Sequence, residues 1–195
     1  MPAAPRSDRR NEHSRRAILD AVFELAATKG YGKLTIEGIA AAAGVGKPTI
    51  YRWWECKGSV ALEAITERLG SAGEFPDTGD IAADLTEHMR STVDMLAGDV
   101  GRIYRGILAE AQTDPELMDT VRAEMIDPRV EQCARRLEIA VAAGQLRDDI
   151  PIREMVEMFY APLYYRLLLG GSDLAETPGV IAPVLDGLRP ARKER

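Results

Sequence analysis

The stretch from Thr35 to Trp54, TIEGIAAAAGVGKPTIYRWW, restricts the fold of this chain more than any other. Thr35 suits the start of a helix, because its hydroxyl can accept a bond from an unpaired first-turn amide. Glu37 then places a negative charge near the positive end of that helix. Ile39 and Ala40 face inward, and the small Ala40 lets a second helix come close. Gly44, four residues on, stands where the chain must turn sharply, and positive φ is cheap only for glycine. Ile50, six residues further, can pack back onto the pair. These offsets are what a helix-turn-helix requires, with Pro48 in the first turn of the second helix, where its missing N–H costs nothing.

The rest of the chain reads in the same period. Ala17, Ile18, Ala21, Val22, Leu25 and Ala26 recur at three- and four-residue spacing, which predicts a first helix over 12–29 preceded by a mobile lead-in, with Gly30 as a left-handed C-cap. A fourth helix covers 57–69. The breaker-rich GSAGEFPDTGD ends it and marks a boundary between a head, residues 12–72, and a body, residues 78–190. The body contains six further helical segments: 81–97, 100–112, 115–126, 128–143, 152–169 and 179–188. No segment sustains the period-two alternation of a strand. The expectation is an all-α protein of nine to ten helices, a three-helix helix-turn-helix head on a helical body.

With 46% apolar and 29% charged residues the chain is too apolar for disorder. Met155–Leu169 falls short of the roughly 20 residues of a membrane span and contains Glu157, Pro162 and Arg166. The N-terminal residues carry no apolar core of a secretory signal. Cys56 and Cys133 are too far apart for a CxxC metal pair, which fits a reducing cytoplasm. His13 and His88 lack a second ligand four residues away, and no nucleophile–base pair accompanies the acidic residues. Neither a metal, a cofactor nor catalysis is expected. The net charge of −6 hides an asymmetry, since residues 1–57 carry ten Lys/Arg against six Asp/Glu, net +4, and the remainder is net −10. A basic head on an acidic body directs a polyanion to one end.

In a helix-turn-helix, the N-terminal residues of the second helix reach base edges in the major groove. Here those are Gly46, Lys47, Pro48 and Thr49. Lys47 can donate to guanine and Thr49 can bond a base or touch a thymine methyl; either can instead meet phosphate. Tyr51, Arg52 and Trp53 follow as backbone contacts that fix register. Thr35 and Lys57, each at a helix start, complete the set, and Lys57 sits beside free amides that suit a phosphate. Trp54 is expected in the core.

From Arg15 to Leu62 the chain resembles the DNA-binding head of TetR-family regulators. The matching pieces are Gly30-Tyr31, Thr35-Ile36, Ile39-Ala40, Ala43-Gly44-Val45, Thr49-Ile50-Tyr51 and Lys57. ILAEAQTDPEL and PLYYRLLLGG resemble the C-terminal domain of one TetR subgroup. The resemblance implies a body that binds a small ligand between helices and a dimer formed by the last two helices. Two positions depart from the family's pattern: Trp54 stands where Phe is usual, and Cys56, a poor cap, where Ser, Asp or Asn is usual.

On that basis Met89, Tyr104, Leu108, Met125, Tyr160 and Tyr164 are candidates for a ligand pocket, although aromatic and Met residues at helical spacing also make ordinary core. Leu163, Leu167, Ile181, Val184, Leu185 and Leu188 are candidates for a dimer interface. The implied function is a cytoplasmic, homodimeric repressor, released from a palindromic operator by a small molecule. The alternative is a ligand-binding helical module whose helix-turn-helix no longer binds DNA.

Overall fold

The computed structural model describes residues 6–69, 75–170 and 173–190, with side chains from Asn11 onward. It is all-α, with no strand among the described residues. In chain order the helices are α1 (Arg6–Lys29), α2 (Ile36–Ala43), α3 (Lys47–Tyr51), α4 (Lys57–Leu69), α5 (Ile81–Ala97), α6 (Asp99–Ala111), α7 (Pro115–Val121), α8 (Asp127–Ala142), α9 (Ile152–Leu169) and α10 (Ile181–Leu188). The first helix starts at Arg6, ahead of the expected Glu12, and residues 1–5 of the expected lead-in lie outside the described residues. So do Gly70–Glu74, the first half of the expected boundary segment.

The described residues form two compact units. The first gathers those of Met1–Ser71 with Arg102–Arg122, and the second those of Ala72–Gly101 with Ala123–Arg195. The first unit therefore includes most of α6 and all of α7, segments that the sequence places in the body.

In the first unit α1 packs on α2 and α4, α2 on α3, and α4 on α7. Ile18, Leu19, Val22, Ile39, Ile50, Leu62 and Ile65 are fully buried at its centre. Two glycines explain why α6 and α7 belong here. A Cβ on Gly58 would meet Leu117 Cδ2 at 2.5 Å, and one on Gly106 would meet the Tyr31 ring at 2.5 Å. Helices this close leave no room for a methyl group, so glycine is required by packing rather than by φ.

The second unit contains a buried ion pair. Asp84 on α5 is 0% exposed and Arg136 on α8 is 3% exposed. Arg136 Nε and Nη2 donate to Asp84 Oδ2 at 2.8 and 2.6 Å, while the Thr78 backbone N–H and hydroxyl donate to Oδ1 at 3.0 and 2.7 Å. Burial pushes the Asp84 carboxyl up, but the bonds from Thr78 and then Arg136 outweigh it and hold it below the ordinary range. Arg136 Nη1 is buried without a hydrogen-bond partner. Met89, Leu137, Met155, Phe159 and Leu163 fill the surrounding core.

The expected break before Pro128 does not occur. α7 passes into α8 through a π-helical turn at Arg122–Ile126, with no non-helical residue between Pro115 and Ala142. Pro128 would clash with the carbonyl four residues back, and the wider π turn lies at that carbonyl, that of Glu124. Near the C-terminus, Leu174–Val180 forms a 3-10 segment before α10, so the last α-helix starts at Ile181 instead of Gly179.

Candidate nucleic-acid interface

The turn between α2 and α3 forms as its residues dictate. Thr35 Oγ1 accepts from the Gly38 N–H at 3.1 Å, capping α2. Gly44 ends α2 in the left-handed conformation at φ +67°, ψ 31°, and its N–H returns to the Ala40 and Ala41 carbonyls. Gly30 also has positive φ, 84°, but its ψ of 147° lies outside the left-handed helical region expected of a cap. Gly46, with φ −83°, opens α3, and Pro48 occupies its first turn. The support behind α3 is buried: Ile39, Ala40, Ile50 and Trp54. The Trp54 indole N–H donates to Glu63 Oε2 at 2.5 Å, which satisfies its polar edge inside the core. Glu63 also pairs with Arg15 of α1.

Gly46, Lys47, Pro48, Tyr51, Arg52 and Trp53 lie exposed on the outer side of this support, with Thr49 half-buried among them. Tyr51 and Trp53, 54% and 45% exposed, are large aromatics presented to water. The Lys47 ammonium stands 2.9 Å from Glu37 Oε1. That hydrogen bond lowers the Glu37 carboxyl below its ordinary range and raises the lysine. Arg52 donates to Asn11 Oδ1 at 3.1 Å and lies 5.6 Å from the Trp53 ring centroid, a cation–π contact that steadies the guanidinium. The result is an outward tip of donors and flat side chains on a rigid base.

Lys57, at the start of α4, contacts two side chains of the first unit. Its ammonium is 3.0 Å from Glu110 Oε2 on α6 and 4.8 Å from the Tyr31 ring centroid. It thus has an anionic partner inside the first unit. Sequence reasoning did not identify Glu110, because only the fold brings α6 beside the start of α4. Cys56 caps α4: the Ser59 N–H approaches its Sγ at 3.4 Å while the Cys56 N–H donates to Ser59 Oγ at 3.3 Å.

The six pocket candidates are divided between the units. Tyr104 and Leu108 are buried on α6 in the first unit, whereas Met89, Met125, Tyr160 and Tyr164 belong to the second. The second unit adds a residue the sequence reading set aside. His88 Nε2 lies 2.7 Å from Tyr160 Oη, and Phe75 stacks on the imidazole with centroids 4.1 Å apart. Burial, then the charge of Arg129, lowers His88 to about 4, so the ring is neutral at physiological pH. Burial likewise pushes the Cys133 thiol up to about 12, leaving it inert as a nucleophile.

Of the residues expected at a dimer contact, Leu163, Leu167, Ile181, Leu185 and Leu188 are buried within the chain itself, and only Val184 is half-buried. They carried the helical apolar period of α9 and α10, and that period belongs to the internal core. Among the described residues of the second unit, the large apolar side chains left open are Met158, Tyr165, Leu168 and Leu169 on α9 and Ile139 on α8; Tyr165 is 61% and Leu169 71% exposed. Among the described residues no group of three or more His, Cys, Asp or Glu could hold a metal ion, and no helix is long and apolar enough to cross a membrane.

Comparison with known proteins fits this geometry. Residues 18–64 match the model for bacterial regulatory proteins of the tetR family, and residues 75–180 match the tetracyclin repressor-like C-terminal domain. The chain is 30% identical to the HTH-type transcriptional regulator YdeS of Bacillus subtilis, over 86% of this chain and 85% of that one. It is similar to the crystal structure of the TetR family transcription regulator SCO0332, at TM-score 0.72 and 34% identity, over 91% and 99% of the two chains. Its fold also matches FadR of Thermus thermophilus, a TetR family transcriptional repressor solved in complex with lauroyl-CoA, at TM-score 0.67 and 21% identity, over 93% and 99%.

Proposed function

The chain belongs to the TetR family of DNA-binding transcriptional regulators, and from that premise we propose that it is a homodimeric cytoplasmic repressor whose α3 tip reads an operator and whose helical body takes a small-molecule effector. The observation that carries this reading is the outward set of Lys47, Thr49, Tyr51 and Arg52 on a buried base. Lys47 and Thr49 reach base edges, while Tyr51, Arg52, Trp53 and the Thr35 turn contact the backbone. The protein acts by binding rather than by catalysis. The head is assigned to residues 12–72 and the body to residues 78–190, a division supported by family matches over residues 18–64 and 75–180.

The open apolar face of α9, with Met158, Tyr165, Leu168 and Leu169, takes the place of the buried leucines as the dimer contact. Exposed apolar side chains on one helix face mark such surfaces. A two-fold dimer sets two recognition helices about 34–36 Å apart, so the operator is palindromic. The effector binds one of two states of the dimer better, and that state fits DNA less well. The lauroyl-CoA complex of Thermus thermophilus FadR, similar in fold, supports an effector that is at least partly apolar.

A gel shift on DNA upstream of the protein's own gene, at two salt concentrations, tests this. Phosphate contacts require affinity to fall with salt at a log–log slope of about −0.9 per contact. Salt-insensitive or absent binding refutes it in favour of a ligand-binding module that has lost DNA.

A further inference from the structure

Glu37 is a carboxylate on the face that meets a polyanion. Its side chain is 68% exposed and Lys47's is 51% exposed, so their 2.9 Å ion pair is solvated. Such pairs add little to folding stability. A negative charge there also repels phosphate and lowers affinity for DNA in general. A group that contributes little to the fold and opposes non-specific binding is suited to choosing between sequences.

Its geometry says which sequence. Lys47 Nζ and Glu37 Oε1 form a donor and an acceptor side by side, 2.9 Å apart. In the major groove a G·C pair shows the complementary arrangement, guanine O6 beside the cytosine amino group. Those two atoms are themselves joined by an N–H···O bond, so they also stand about 2.9 Å apart. Resting on the reading that the α3 tip enters the major groove, we infer that Glu37 and Lys47 together read one G·C base pair in each half-site, the ammonium donating to guanine and the carboxylate accepting from cytosine. The lysine then spans guanine O6 and N7, while Glu37 takes the cytosine N4 proton that points into the groove. The ion pair is kept in the complex, so neither charge is left unpartnered. Adenine also shows an acceptor beside a donor, but it offers the ammonium a single acceptor where guanine offers two.

Selection from randomised duplexes with the full-length protein, its Glu37→Ala variant and its Lys47→Ala variant tests this. The native chain is expected to require one G·C pair per half-site. Glu37→Ala, at an exposed helical position, is expected to lose about tenfold or more of the discrimination at that pair while binding random duplex more tightly. Selection of A·T at this position, or a uniform rise in affinity with the selected pair unchanged, would overturn the inference. Lys47→Ala with undiminished operator affinity would instead remove the groove reading beneath it.

Discussion

The Lys57 ammonium and the Tyr31 hydroxyl converge on one oxygen, Glu110 Oε2, at 3.0 and 2.9 Å. Burial, then Glu110, raises the tyrosine far above its ordinary range, so it remains a donor at any working pH. A lysine expected to meet phosphate is thus held by a carboxylate from α6, which would compete with phosphate for it in the proposed DNA complex. Exchanging Glu110 for Gln is expected to release Lys57, raise operator affinity and steepen the log–log salt dependence by about 0.9 per head. Anisotropy titrations across about 50–200 mM salt measure both quantities. Weaker binding by Glu110→Gln would mean that Lys57 serves only as a strut of the first unit.

Gly106 allows Tyr31 to reach that oxygen. Gly106→Ala drives a methyl group into Cβ, Cγ and Cδ1 of Tyr31, the near part of the side chain, which cannot swing aside. Overpacking of this kind costs about 1–3 kcal/mol. Urea unfolding is expected to show a loss of that size, whereas an unchanged midpoint would show that α6 and the Tyr31 turn can separate at no cost.

The helix-turn-helix was legible because its logic is local. Thr35, Ala40, Gly44 and Ile50 fix it through spacing and backbone conformation, and the buried Trp54 followed from the same pattern. What escaped the sequence depends on pairing between distant segments. Glu110 is one charged residue among many until α6 lies beside α4, and Gly58 and Gly106 look like ordinary helix-weakening glycines until Leu117 and Tyr31 press on them. The apolar period of α9 and α10 was correctly seen, but period alone does not say whether a face meets the chain's own core or a partner. Leu163 and Leu167 meet the core, and Tyr165 and Leu169 do not.

The Asp84–Arg136 pair is expected to matter through its partners. Replacing Asp84 by Ala leaves the buried guanidinium with only the exposed Asp77 carboxylate, 3.3 Å from Nε, and is expected to cost up to about 3–5 kcal/mol. The double replacement Asp84→Leu with Arg136→Met leaves no buried charge and is expected to cost much less. Chemical denaturation of the three variants checks this. A single-variant loss below about 1 kcal/mol would show that water reaches the arginine readily.

His88 ties stability to pH. Its folded value, about 4, lies below the unfolded 6.5, so between these limits the unfolded chain binds the proton and the folded chain does not. Stability is therefore full above pH 6.5 and falls as pH drops toward 4, by up to about 3 kcal/mol. Asp84, held below 3.8, gives up its share only at lower pH. Melts of the native chain and His88→Gln at pH 7, 5.5 and 4.5 are expected to diverge as the pH falls. Parallel curves would assign the loss to other groups.

Cys56 caps α4 with sulfur where oxygen does better. Cys56→Ser keeps the reciprocal bonds with Ser59 and is expected to raise stability modestly, within the roughly 0.5–2 kcal/mol that a good cap contributes. A lower melting temperature would show that the half-buried thiol contributes more by packing than the hydroxyl would by capping.

The placement of the α3 tip in the major groove can be read on the DNA itself, by dimethyl sulfate protection of an operator fragment. Guanine N7 faces the major groove and adenine N3 the minor groove. The expected result is protection of guanines in two patches about one helical turn apart, lost with Lys47→Ala. Protection of adenine N3 alone, or of no base while the protein is bound, would contradict it.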